Sequence, residues 1–188
     1  MKLIKLTVFA SILFSTAALF TSCESDAEQK KTTDFQKTGI ILSGSQETPA
    51  NASTALGTMD VFYTRETRIL SYTVTWTGLT DSISLMHIHG LASPGFAAPV
   101  VQNIIVAPSL CNLPALPNCN DGTVGNGIFP QKTIAHKFTY LKSGTISATL
   151  LVDGVVIKEA DLLNGNFYMN IHTPAFPAGE IRGQIKFQ

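Results

Sequence analysis

Charge is what this sequence has least of. Of its 188 residues 14% are charged, 13 basic against 13 acidic, for a formal net charge of +0. Nucleic-acid binding draws on a concentrated basic surface, so the composition argues for no nucleic-acid partner. The apolar run 6–20 is too short and too weakly flanked to span a bilayer as a helix. No G-x-S-x-G elbow is present, and Ser93 in LASPG lacks the strand-to-helix context of a nucleophile. The GNG at 125–127 is turn chemistry rather than a phosphate-cradling loop, and no signal selects a carboxylate pair for glycoside chemistry. Helical patterning is confined to one short segment. What remains is a chain with 45% hydrophobic residues, long enough for one domain with a real core.

The chain starts with Lys2 and Lys5, the apolar run, and then LFTSC, which together read as a secretory signal over 1–22. LFTSC resembles the lipobox of bacterial lipoproteins, with Phe20 where that pattern usually has leucine. The resemblance implies cleavage before Cys23 and lipidation of Cys23. The chain would then be an outer membrane lipoprotein of the cell envelope, periplasm-facing or surface-exposed, with the membrane as a partner through its anchor. Residues 23–38, which include ESDAEQKKTT, read as the lipidated cysteine and a polar flexible tether, leaving 39–188 as the domain. Cys111 and Cys119, in CNLPALPNC, match neither C-x-x-C nor a zinc knuckle. In an exported protein they read as a disulfide stapling a short loop, stabilising by about 2–3 kcal/mol.

From Gly39 onward the pattern alternates with period two. Strands are expected over 39–43, 56–65, 68–78, 83–89, 100–106, 133–141, 144–152, 155–158, 167–173 and 180–187, with a long Pro/Asn/Gly-rich loop over 107–131. The clearest puts Leu70, Tyr72, Val74 and Trp76 on one face and Ser71, Thr73, Thr75 and Thr77 on the other. Asp153-Gly154 offers a hairpin turn, and EADLLN at 159–164 a helical turn closed by Gly165. In the last strand Ile181, Gly183, Ile185 and Phe187 are expected inward, and Glu180, Arg182, Gln184 and Lys186 outward. The fold class is all-β: an antiparallel, Greek-key-like β-sandwich or flattened barrel of about eight strands with one short helical turn.

Two of the four histidines stand as His-x-His in LMHIHG, at His87 and His89, and a third, His172, in YMNIHT. Residues two apart on a strand share a face, so His87 and His89 offer an edge of two imidazoles. With His172 they form a candidate mononuclear site for copper or zinc, with Asn170, Glu180 and Arg182 as supporting residues. The bland alternative is a polar network of the same six residues that pins loops and holds no metal. His136, in IAHKF, stands apart and reads as a strand or surface histidine.

LSGSQETPA, ALGTMDVFY, LSYTVTWTGL, MHIHGLASPGFAAPVV and LLNGNFYMNIHTPAFPAGEIRGQI together resemble the CHRD domain family over about 39–187. The resemblance implies an all-β domain acting as a binding or interaction module toward a protein or extracellular ligand, with 107–131 as an insertion. A fainter likeness to the copper-zinc superoxide dismutase sandwich implies His87, His89 and His172 as copper-like ligands and Arg182 as an anion guide. The second-metal ligands of that family have no counterpart here. A copper-dependent oxidoreductase is therefore the alternative activity.

Overall fold

The computed structural model describes residues 33–106 and 142–188. The signal segment, Cys23, the Cys111–Cys119 pair, His136 and the strand expected over 133–141 lie outside the described residues. Eight strands form: β1 (Asp34–Ser43), β2 (Leu56–Thr64), β3 (Ile69–Thr77), β4 (Leu85–Gly90), β5 (Val100–Val106), β6 (Gly144–Leu151), β7 (Phe167–Thr173) and β8 (Phe176–Ile185). A 3-10 turn (Gly44–Gln46) follows β1, and a short helix α1 (Glu159–Leu163) precedes β7. All pairings are antiparallel, in the order β5-β4-β7-β8-β1-β2-β3-β6.

The two ends of this order approach each other. Gln102 on β5 donates to the carbonyl of Thr149 on β6 at 2.8 Å and accepts from the Tyr72 hydroxyl on β3 at 2.8 Å. The sheet is thus a nearly closed, flattened barrel, the all-β class expected from the alternation.

Period-two patterning sets the inside. β3 sends Leu70, Tyr72, Val74 and Trp76 into the core, as expected, where they meet Met59, Val61, Ile146 and Leu150. Met86, Ile88, Met169, Ile171, Ile181 and Ile185 continue that core across β4, β7 and β8. Gly183 marks the tightest approach of β8 to β1: a Cβ there would lie 2.8 Å from the Ile41 carbonyl oxygen and 2.9 Å from Leu42 Cγ. Gly183→Ala is expected to cost about 1–3 kcal/mol, because the obstruction includes backbone that cannot rotate away. A denaturant midpoint equal to wild type would contradict this.

Three expectations are corrected. No strand forms over 155–158, because Asp153 Oδ1 accepts the N–H groups of Val155, Val156 and Ile157 at 2.8–3.0 Å and curls the segment into a loop. β1 begins at Asp34 rather than Gly39, pairing Asp34 with Thr64 and Phe35 with Tyr63. The third concerns β8. Glu180, Arg182 and Gln184 do lie on the face opposite Ile181 and Ile185, but they are 0%, 2% and 7% exposed. Alternation assigned the faces correctly; loops 44–55 and 91–99 cover the second one.

Candidate metal centre

This covered second face is where the histidines meet. β7 lies between β4 and β8, with His87 opposite Asn170, His89 opposite Tyr168, Asn170 opposite Arg182 and Tyr168 opposite Gln184. The alternation that sends Met86, Ile88, Met169 and Ile171 into the apolar core turns His87, His89, Tyr168, Asn170 and His172 to the other side. A strand buried on both faces usually reads as a continuous apolar run. Here one face is polar, which is costly unless every group finds a partner.

The Nδ1–H groups of His89 and His172 find theirs. His89 Nδ1 donates to the Ala98 carbonyl at 2.8 Å, and His172 Nδ1 to the Pro177 carbonyl at 3.0 Å. Nε2 of each ring lies 3.0 Å from Asn170 Oδ1, and His87 Nδ1 lies 3.2 Å from His172 Nε2. The ligand-capable nitrogens of the three histidines all fall within 4.8 Å of one another. Burial lowers the affinity of all three rings for a second proton. His87 is driven well below the usual imidazole range, with the neighbouring histidines adding to the effect; His89 is lowered and His172 falls to about 4. Neutral imidazoles with the remote N–H tied to a carbonyl are the form in which histidine ligates a metal.

Tyr168 joins the site. Its ring stacks on His89, with centroids 4.8 Å apart and planes within 3°, and the Arg182 guanidinium carbon lies 3.4 Å from its centroid. Its hydroxyl accepts the Ala98 N–H at 3.1 Å, so it steadies the loop that holds His89 Nδ1. Arg182 itself donates to the Thr48 hydroxyl, the Phe96 carbonyl and Gln184 Oε1. It is a buried brace beneath the two covering loops, not a surface guide for anions.

Glu180 stands apart from the imidazoles. Its carboxylate takes Ser53 Oγ, the Thr80 N–H and hydroxyl, and Thr173 Oγ1, at 2.6–3.0 Å. It ties loops to the sheet. Of the six residues expected at the site, the structure thus gathers His87, His89, His172 and Asn170, sets Arg182 beside them through Tyr168, and assigns Glu180 to a neighbouring loop anchor.

Glu47 was not anticipated. It is 8% exposed, and its Oε1 has no hydrogen-bond partner among the described residues. Its carboxylate sits against Gly179, where any side chain would collide with it, and within reach of the Asn170 amide and the Arg182 charge. Burial pushes its pKa up to about 7 against the opposing pull of Arg182, the Thr48 backbone and Asn170. Tyr168 was not singled out from the sequence either, although alternation along YMNIH places it on one face with Asn170 and His172. No local pattern pointed to Glu47, which arrives on a loop from a distant part of the chain.

No curated protein and no solved structure matches the chain. The model of the CHRD domain matches residues 38–185, well over half of the sequence, including β4, β7, β8 and the Glu47 loop. The chain therefore belongs to the CHRD domain family.

Proposed function

We propose that this CHRD domain is a metal-binding module, holding one zinc or copper ion through His87, His89 and His172 and carried at the cell envelope by a lipid anchor on Cys23. One observation carries the metal reading: His89 and His172 each commit Nδ1–H to a backbone carbonyl, which leaves both Nε2 atoms unprotonated, each 3.0 Å from Asn170 Oδ1, with His87 Nδ1 3.2 Å from that of His172 and all three donor nitrogens within 4.8 Å. Imidazole nitrogen suits zinc, copper and nickel, and three such donors give the affinity a module outside the cell requires. The ion would cross-link β4 to β7 and so support the loop 91–99 that docks on His89 and Arg182. With Arg182 buried and its guanidinium engaged, a dismutase-type activity lacks its anion guide, and binding is the better reading.

The test is elemental analysis of the full chain purified without chelator, beside a His87→Ala/His89→Ala variant, with zinc and copper(II) titrated into both. Wild type is expected to hold close to one ion per chain. The folded variant should bind weaker by about a hundredfold or more, since loss of even a supporting partner costs about 10–100-fold. A competing reading rests on the same two 3.0 Å contacts: were the Asn170 amide reversed, its nitrogen would donate to both Nε2 atoms and satisfy them without an ion. A wild type that takes up neither metal at micromolar concentration overturns the metal proposal and leaves that polar network standing.

A further inference from the structure

The proposed site has a fourth donor, and this inference rests on the metal reading above. A carbonyl oxygen only accepts, so the contacts to Ala98 and Pro177 place the single proton of His89 and of His172 on Nδ1. Both Nε2 atoms are then bare acceptors, each 3.0 Å from Asn170 Oδ1, which is also an acceptor. Acceptors do not crowd together unless a cation lies among them or the amide is reversed.

Glu47 opposes the reversal. Its carboxylate lies within reach of the Asn170 amide, in space that Gly179 leaves free. Where Glu47 is ionised, above its raised pKa of about 7, its carboxylate only accepts, so the amide nitrogen turns to Glu47 and the oxygen to the imidazoles. Three donor separations, 3.0, 3.0 and 3.2 Å, approach the edge of about 3.3 Å that four ligands at about 2.0 Å from an ion would have, while the imidazole nitrogens, spread over up to 4.8 Å, would draw together on loading. We propose that Asn170 Oδ1 is the fourth ligand, closing a three-nitrogen, one-oxygen site, and that Glu47 is a positioning residue that turns the Asn170 amide oxygen toward the ion. An oxygen among three imidazoles favours zinc and copper(II) over copper(I), and a site closed by protein donors has no open position for substrate. The domain then holds its metal for structure or recognition rather than turnover.

Cobalt(II), a spectroscopic probe for zinc sites, tests this in the full chain, with azide as a competing ligand. Wild type is expected to bind cobalt(II) one to one, with visible bands that azide leaves unchanged. Asn170→Ala should bind at least tenfold more weakly and gain an azide-sensitive spectrum, because a position has opened. Asn170→Asp, which keeps an oxygen donor and the fold, should retain affinity and remain blind to azide. Glu47→Gln, whose amide can donate to the Asn170 oxygen and draw it off the ion, should weaken binding several-fold. In the Asn170→Asp background it should not weaken binding, since the two oxygens of a carboxylate need no orienting and the like charge beside them is removed. Wild-type bands that shift with azide, or Asn170→Ala affinity within twofold of wild type, overturn the fourth-ligand assignment and leave the three-histidine site intact. A wild type that binds no cobalt(II) or zinc removes both.

Discussion

Arg182→Met is expected to destabilise the domain by about 3–5 kcal/mol, a large part of the stability of a domain this size. The guanidinium is buried, donates to Thr48, Phe96 and Gln184, and covers the Tyr168 ring at 3.4 Å. Methionine fills comparable volume but offers no donor, so the Phe96 carbonyl and Gln184 Oε1 lose a partner and the Glu47 carboxylate loses its nearest positive charge. Both covering loops then detach from the sheet, and the second face of β4, β7 and β8 is left unshielded. Arg182→Lys should recover little, because one ammonium cannot reach three acceptors and lie flat on a ring. Urea unfolding followed by the Trp76 fluorescence checks this. A loss under about 1 kcal/mol would mean that the loops are held by other contacts.

The second large effect is acid lability of the metal-free protein. His172 has a folded pKa of about 4 against 6.5 for a free imidazole, and His87 and His89 are displaced in the same direction, all chiefly by burial. Where the folded pKa is depressed, the unfolded chain binds the proton first, so stability is complete above pH 6.5 and drains away as pH falls toward 4. His172 alone accounts for about 3 kcal/mol. Glu47 acts oppositely: its folded pKa is raised to about 7, so its contribution is complete below 4.5 and is lost as pH rises through 7. Three histidines oppose one glutamate, so the net expectation is a steep loss between pH 6.5 and 4. Glu47→Gln should be more stable than wild type at pH 8, by as much as about 3 kcal/mol, and should show an even steeper acid loss. Chemical denaturation from pH 4 to 8 in chelator measures both. A flat profile would mean that the imidazoles protonate freely and are not sealed beneath the loops. Bound metal should flatten it too, since the ion competes with protons for the same nitrogens.

Much of this was legible in the sequence because period two is a local property. The alternation in ILSYTVTWT predicted which residues of β3 enter the core, and His-x-His predicted that two imidazoles share a face. The same rule put Glu180, Arg182 and Gln184 opposite the apolar side of β8, yet failed to say what lay there. A polar face is read as a wet face by default. In β8 it is buried, because loops brought from 44–55 and 91–99 supply the acceptors and donors that make its burial affordable.

The division follows from the range of the forces. By itself the sequence determined the all-β class, the strand faces, the turn of EADLLN closed by Gly165 and the pairing of His87 with His89, all consequences of neighbours along one chain. Only the tertiary structure decided that β7 runs between β4 and β8, so that His172 and Asn170 reach the other two histidines. It alone separated Glu180 from them, and it alone carried Glu47 to the space beside Gly179, within reach of Asn170. Convergence of donors depends on strand order and loop placement, which no spacing along a single strand encodes.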